Sequence, residues 1–195
     1  RICWDLTNPS NYAFNTYALK NGVIKNGIVY GPNGSGKSNF ALAIFDIENH
    51  LSQKWKKADY YLNFATAGRE NLPVQFEYRF RFGNDELFYA YSKDKDGKLL
   101  SETLDINDTP VFQKDSSTLT LSRLYPIDET AKEKLKNSAN SMSMINFIAA
   151  TYPLEKGHYI LALKEFVDSM LWFKSLDKRE FIGLENNASF QEEDI

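Results

Sequence analysis

A glycine-rich octapeptide at residues 31–38 constrains the fold of this chain more than any other feature. The apolar, β-branched residues 27–30 precede it and predict a short buried strand that ends at Gly31. Apolar residues at helical spacing follow it and predict an amphipathic helix from about residue 37 to residue 54. The polar residues Asp46, Glu48 and Asn49 are expected to lie mostly away from the apolar stripe. Strand, glycine-rich turn and helix in this order indicate an α/β fold.

The octapeptide reads G-x-x-x-x-G-K-S, the pattern of a phosphate-binding P-loop. Its glycines allow backbone angles and a close approach that a Cβ would block, so that N–H groups surround an anion at the helix N-terminus. Lys37 is expected to reach β- and γ-phosphate oxygens, and Ser38 to offer its hydroxyl to Mg²⁺. The predicted cofactors are therefore ATP and Mg²⁺, with Lys37 as the catalytic residue and Ser38 as the metal ligand. The predicted binding residues are Gly31, Pro32, Asn33, Gly34, Ser35, Gly36, Lys37 and Ser38. The alternative interpretation is an ordinary glycine-rich turn that leads into a helix and binds no phosphate.

Length and composition limit the remaining options. The 195 residues are 43% hydrophobic, which suffices for one sizeable core, so one domain with or without a subdomain is expected. The net charge of −3 gives no overall case for a nucleic-acid or membrane partner, although a local basic patch stays open. The lone Cys3 excludes an internal disulfide framework and is expected to be a small buried hydrophobe. No apolar run approaches the ~20 residues of a membrane span and no signal peptide is recognisable, so a cytoplasmic protein is predicted.

Residues 74–124 predict an antiparallel β-subdomain. From Val74 to Phe82, aromatic residues alternate strictly with polar ones, which is typical of a half-buried strand. Turns this short imply an antiparallel meander, because parallel pairing needs long crossovers. The further predicted strands are residues 87–92, 99–106, 111–113 and 118–124, with turns at residues 83–85, 96–97 and 107–110.

The last third of the chain predicts helices over residues 128–180. Residues 135–148 are expected to form one helix that stops near Pro153, and residues 160–173 to form another. The acidic residues 191–195 are expected to fray. Together with the strand, loop and helix of residues 1–57, this gives a three-part organisation of one domain.

The stretch from Tyr30 to Phe40, YGPNGSGKSNF, resembles the Walker A segment of ABC-class ATPases. It is most similar to the SMC, OLD-like and AAA-type branch of abortive phage-infection systems, from which kinase and GTPase loops differ at Asn33 and Asn39. This resemblance adds Asn39 to the binding residues. Members of that branch insert an antiparallel β-subdomain after the first helix and then continue into helices, so the resemblance implies a P-loop NTPase lobe of the ABC-head type.

The resemblance also implies motifs that are not recognisable here. Members carry a Walker B strand ending in Asp-Glu, a Ser-Gly-Gly signature and a switch histidine. We therefore expect residues 1–195 to be one partial head, the N-terminal lobe, inactive as an ATPase alone; a start at Arg1 also suggests a missing upstream piece. The whole protein is expected to hydrolyse ATP, to form a homo-oligomer through its heads, and to gate a partner nuclease or toxin in phage defence or DNA maintenance.

Several local patterns have two interpretations. Residues 128–129 are Asp-Glu, as in a Walker B strand, but Pro126 favours the acidic start of a helix. Residues 94–97 match the D-x-x-G sequence motif of GTPases, but a hairpin turn is the better interpretation. His50 and His158 lack metal-ligand spacing and are expected in surface or core positions.

Contacts with a base or with DNA are also open. Tyr12, Phe14 and Tyr17 precede the loop, where related ATPases sometimes stack adenine, but core packing is the better interpretation of these aromatic residues. Gln113 could correspond to the glutamine that senses Mg²⁺ in related ATPase heads, although its position in the β-subdomain disfavours that role. The residues that form either a solvated face or a contact with DNA phosphates are Arg79, Arg81, Lys54, Lys56 and Lys57.

Two other function classes remain. A nucleotide-dependent sensor or scaffold would bind ATP tightly, hydrolyse it negligibly, and hold or release a partner protein. A P-loop phosphotransferase would need an arginine-rich lid over the transferred phosphate, which the predicted meander fits poorly.

Overall fold

The computed structural model describes residues 3–7, 16–52, 68–69, 71–137, 142–175 and 180–183, and shows a mixed α/β protein with antiparallel sheets. The chain divides into two compact units, Arg1–Leu42 and Ala43–Ile195. The division falls within the first long helix, α1 (Lys37–Leu51). Predictions on residues 12, 14, 53–57 and 191–195, which include the last two residues of the helix predicted over 37–54, lie outside the described residues.

The first unit contains a minimal hairpin ahead of α1. A 3₁₀ turn (Thr16–Ala18) leads into β1 (Leu19–Lys20), which pairs antiparallel with β2 (Val23–Ile24). The two connecting residues, Asn21 and Gly22, have φ values of 53° and 77°, as two-residue hairpin turns require. The backbone N–H of Ile24 donates to the carbonyl of Leu6 at 2.9 Å, so an earlier part of the chain lies against β2.

The second unit is built on a five-stranded antiparallel sheet in simple meander order. Its strands are β3 (Val74–Phe82), β4 (Asp85–Lys93), β5 (Leu99–Ile106), β6 (Thr109–Lys114) and β7 (Leu119–Leu121). The predicted strand over residues 74–82 is confirmed at both ends, and so is the strand over residues 99–106. Residues 109–110 belong to β6 rather than to a turn, and β7 is shorter than predicted.

The strict alternation in β3 produces one apolar and one polar face, and β4 pairs with it so that Leu87, Tyr89 and Tyr91 extend the apolar face. Register pairs such as Phe76 with Tyr91 and Tyr78 with Tyr89 put aromatic rings on the same face. The second half of α1 packs on this face, together with the last two helices. The buried members of the resulting core include Ile47, Leu51, Phe76, Tyr89, Tyr91, Leu104, Phe112, Ile145, Ile148, Ile160 and Leu163.

The helical third differs from its prediction. Residues 135–137 end one helix, α2 (Glu129–Asn137), whereas residues 144–148 begin another, α3 (Met144–Thr151), because the Ser143 hydroxyl caps a new helix start by accepting from the N–H of Asn146. Helix α4 spans Tyr159–Asp168 and is followed by an antiparallel hairpin of β8 (Leu171–Ser175) and β9 (Glu180–Gly183). The prediction that Leu171 and Phe173 belong to the last helix is therefore wrong. None of the described helices combines the length and the apolar character that crossing a bilayer demands.

Candidate nucleotide-binding site

Residues 27–30 do not form the strand that the sequence predicts. Among the described residues they pair with no strand, and the side chains of Ile28 and Tyr30 are each 90% exposed. A short apolar run becomes a strand only where neighbouring strands satisfy its backbone and cover its side chains. The prediction of a buried strand ending at Gly31 is thus wrong, whereas the helix does follow the loop from Lys37.

The glycine-rich loop bends through two left-handed residues. Gly34 has φ of 80° and Gly36 has φ of 89°, conformations that side chains with a Cβ adopt only at a cost. Between them, the N–H of Ser35 donates to the carbonyl of Pro32 at 3.2 Å and closes a turn. At Gly31, a Cβ would approach the Ser35 hydroxyl oxygen to 2.9 Å. The spacing of the glycines therefore matches what this loop conformation requires.

Lys37 folds back over the loop that precedes it. Its Nζ donates to the carbonyl oxygens of Gly31 and Pro32, both at 2.8 Å. The first N–H groups of α1 have no acceptor within the helix, and they form the positive end of its dipole. One ammonium group and the amides of a helix start thus belong to the same short segment, an arrangement that suits binding of an anion.

The residues present fit a magnesium-bound triphosphate. Ser38 lies in the first turn of α1 with its side chain exposed, and Asn33 and Asn39 are exposed as well. No group of three or more His, Cys, Asp or Glu side chains among the described residues is placed to hold a metal ion. From this part of the chain, Mg²⁺ would take the Ser38 hydroxyl and fill its other positions with phosphate oxygens and water, as this ion commonly does.

The second half of α1 carries a buried ion pair, which sequence reasoning missed. Asp46 and Lys93 are 0% and 3% exposed, and Lys93 Nζ lies 2.7 Å from Asp46 Oδ2. The Tyr91 hydroxyl donates to the same oxygen at 2.7 Å, and the Tyr78 hydroxyl donates to the carbonyl of Ala43 at 3.1 Å. Burial lowers the pKa of Lys93, and the Asp46 carboxylate opposes that effect. The expectation that Asp46 faces away from the core is wrong.

A second buried carboxylate, Glu102, lies under the start of α3. It accepts the Tyr89 hydroxyl and the backbone N–H of Met144, each at 2.7 Å. His50 Nε2 lies 3.8 Å from it, and the His50 ring stacks on Tyr91 with 4.0 Å between centroids. Burial lowers the pKa of His50, against the pull of Glu102. Since the buried Glu48 also lies on α1, the helix turns polar as well as apolar residues into the core.

The ambiguous motifs have structural roles in the described part of the chain. Asp128 caps α2 by accepting the N–H of Ala131 at 2.8 Å, which supports the helix-start interpretation over a Walker B strand. The N–H of Gly97 donates to the carbonyl of Asp94, so residues 94–97 form the predicted turn. His158 caps α4 through its side chain.

The remaining candidates lie on surfaces. Cys3 is exposed, so its predicted burial is wrong. Tyr17 is 69% exposed, which disfavours a core role and leaves a base contact as an untested prediction. The side chains of Arg79, Arg81 and Gln113 are exposed on the sheet and do not belong to the glycine-rich loop.

Comparison of the chain with protein-family models, with curated proteins and with solved structures gave no match. The resemblance of residues 30–40 to Walker A segments consequently stays a prediction from the sequence. Function has to be argued from the loop and its chemistry.

Proposed function

We propose that residues 31–38 bind the β- and γ-phosphates of ATP together with Mg²⁺. Lys37 supplies the fixed positive charge, Ser38 supplies the metal ligand, and the N–H groups at the start of α1 supply neutral donors. Two further proposed contacts come from the exposed side chains of Asn33, within the loop, and Asn39, directly after it.

One observation carries this proposal: the Lys37 ammonium lies 2.8 Å from two carbonyl oxygens of its own loop. A lysine at a surface helix start would ordinarily extend into water, where its ammonium is fully hydrated. Here the side chain is turned back over residues 31–32, so its charge is retained at the loop. A phosphate is the group whose charge and oxygen geometry complement that position.

The test is a titration with a fluorescent ATP analogue in the presence of Mg²⁺. Lys37→Ala is expected to weaken binding by roughly 10- to 100-fold, the size of one charge-assisted contact. Lys25→Ala is the matched control, because Lys25 is an exposed lysine of the same unit that lies outside the loop. Equal affinities of the wild-type and Lys37→Ala proteins would refute the proposal.

The wider role that we propose follows from the Walker A resemblance. The chain acts as the nucleotide-binding lobe of an ABC-class ATPase of the SMC and OLD-like type, which associates through its heads when ATP binds and gates a partner activity in phage defence or DNA maintenance. Light scattering with MgATP and with MgADP tests the first step. If the molecular mass is the same with MgATP, with MgADP and without nucleotide, ATP does not drive association.

A nucleotide-dependent sensor or scaffold is the second candidate, and Asp128 favours it. This carboxylate caps α2 and is therefore not positioned as a Walker B acid in the described residues. Such a protein would bind MgATP tightly and release no phosphate above background even as the full-length chain, which is the form to test because residues 1–195 alone are expected to be inactive in either case. Steady phosphate release that Lys37→Ala abolishes would exclude this candidate and support the ATPase.

A further inference from the structure

The segment that contains Trp4 is held beside the hairpin of the first unit. The carbonyl of Leu6 accepts the N–H of Ile24 at 2.9 Å, so the chain passes alongside β2. Asp5 Oδ1 accepts the N–H and the hydroxyl of Thr7, at 2.8 and 2.6 Å, which closes a local turn. The backbone that carries Trp4 is therefore anchored by hydrogen bonds that do not involve the indole ring.

The Trp4 indole contacts the chain both before and after the glycine-rich loop. A Cβ added at Gly27 would lie 3.6 Å from Trp4 Cζ2, so the ring packs over this residue, which precedes Gly31. After the loop, the Trp4 ring centroid lies 5.2 Å from that of Phe40 at an interplanar angle of 70°, an edge-to-face contact. Phe40 belongs to the first turn of α1. One side chain thus bridges the two ends of the loop.

Residues 27–30 depend on this contact because they lack the anchors of a buried strand. Among the described residues they pair with no strand, and the side chains of Ile28 and Tyr30 are each 90% exposed. Trp4 itself is 49% exposed, so about half of its surface is covered by its neighbours. The indole supplies packing that a strand would otherwise obtain from the strands beside it.

The contact with Phe40 reaches the loop conformation through one backbone hydrogen bond. The N–H of Phe40 donates to the carbonyl of Gly36 at 2.9 Å. Gly36 is the left-handed residue, with φ of 89°, that leads the loop into α1. The next residue, Lys37, donates from its Nζ to the carbonyls of Gly31 and Pro32. Every step from the indole to the loop is a contact within the first unit.

We propose that Trp4 is a positioning residue whose indole holds the two ends of the glycine-rich loop together and thereby raises the affinity for a magnesium-bound triphosphate. This inference rests on the proposed ATP site. Without the ring, residues 27–30 and the first turn of α1 move apart more often. The loop then spends less time in the binding conformation, and the apparent affinity falls in proportion. The effect acts on the triphosphate and is independent of the base.

The test compares binding of MgATP with binding of magnesium tripolyphosphate, which has three linked phosphates but neither ribose nor base. Trp4→Ala is expected to weaken binding of both ligands by the same factor, about fivefold, the size of one aromatic contact. Trp4→Phe keeps an aromatic ring and is expected to bind both ligands within about twofold of the wild type. Isothermal titration calorimetry measures these affinities without a label.

A second variant removes the same contact from the side of the helix. Phe40→Leu keeps an apolar side chain on α1 but removes the ring that the indole touches. If the two rings act through one contact, Trp4→Ala/Phe40→Leu loses about as much affinity as either single variant. Losses that multiply in the double variant would show two independent effects and would overturn the bridging role.

The matched control is Ile28→Ala. Ile28 is a large apolar residue directly after Gly27, but its side chain is 90% exposed. Its truncation is expected to leave both affinities unaltered. A loss as large as that of Trp4→Ala would refute a particular role of the indole.

The outcomes separate the two proposals. If the wild type binds both ligands and Trp4→Ala binds them equally well, the positioning role is refuted while the ATP site stands. A loss confined to MgATP also refutes it, because the indole would then contact the base instead of holding the loop. A lower melting temperature with unchanged affinities would make the contact purely structural. If the wild type binds neither ligand, the proposed function fails and the inference fails with it.

Discussion

His158 Nδ1 accepts the backbone N–H of Ile160 at 3.2 Å, so an imidazole ring occupies the N-cap of α4. A neutral ring that accepts at Nδ1 carries its hydrogen on Nε2, which therefore donates to the Tyr125 hydroxyl at 3.0 Å. Tyr125 can in turn donate to the Tyr159 hydroxyl at 2.8 Å. Protonation of His158 would place an N–H against the N–H of Ile160 and remove the cap.

The first prediction is therefore a loss of stability at acid pH. Burial lowers the pKa of both His158 and His50 in the folded protein, against about 6.5 when unfolded. The unfolded chain binds these protons more tightly, so their stabilisation is complete above about pH 6.5 and is lost as pH falls through the lower folded pKa values. Urea unfolding at pH 7.5 and at pH 5.5 measures this loss.

The His158→Asn variant separates the contribution of the His158 cap to acid sensitivity from that of His50. Asparagine accepts the Ile160 N–H without titrating, so the variant is expected to lose less stability between the two pH values than the wild type. Identical losses would mean that His158 does not contribute to the acid sensitivity.

The second prediction concerns the buried carboxylate of Glu102. Tyr89→Phe removes one of its two hydrogen bonds of 2.7 Å without changing the ring, and is expected to lower the free energy of unfolding by about 1.5–3 kcal/mol. Tyr17→Phe removes a hydroxyl from an exposed ring and should change nothing. Equal effects of the two substitutions would argue against a strong bond in the core.

The third prediction concerns the backbone of the loop. Gly36→Ala forces alanine to adopt φ of 89°, a strain of about 1–2 kcal/mol, and is expected to weaken MgATP binding by roughly tenfold. Gly27→Ala is the comparison, because the added methyl group would meet only the Trp4 ring, at an ordinary 3.6 Å. Fluorescence titration of both variants gives the answer, and unaltered affinity in Gly36→Ala would rule out a requirement for this conformation.

The fourth prediction concerns the start of α3. Ser143→Ala removes the hydroxyl that accepts the Asn146 N–H at 3.1 Å and should destabilise the fold by about 1 kcal/mol in thermal or urea unfolding. Ser143→Gly should lower the free energy of unfolding by only a few tenths of a kcal/mol, since glycine is itself a favoured N-cap residue. A larger loss with glycine than with alanine would contradict the capping role.

Local patterns predicted the β-subdomain well. The strand Val74–Phe82 and the short turn after it are encoded by neighbouring residues, because alternation fixes the faces and the two-residue connection fixes the pairing. By contrast, residues 27–30 have the composition of a strand but no pairing partner among the described residues. Composition describes what a segment can form, whereas partners decide whether it forms.

The buried charges show where periodicity fails. The helical pattern predicts that Asp46 lies on the polar side of α1, because its partner, Lys93, lies 47 residues later and leaves no trace in that pattern. The strand sequences do indicate these burials. Side chains two positions apart on a strand lie on the same face, so Lys93 shares a face with the buried Tyr89 and Tyr91, and Glu102 shares one with the buried Leu104. A charged residue at an inward position of a strand calls for an opposite charge elsewhere in the core.

The two carbonyl bonds of Lys37 have a consequence for the energetics of ligand capture. An ammonium group has three N–H donors, and two are already directed at residues 31 and 32. The four-carbon side chain has therefore lost most of its rotamer freedom before any ligand arrives, and one donor remains for an incoming oxygen. Arginine at position 37 would keep the charge and has five N–H donors, but the planar guanidinium fixes their directions, so it is expected to match this arrangement of two carbonyls and one ligand oxygen less well and to bind the ligand less tightly.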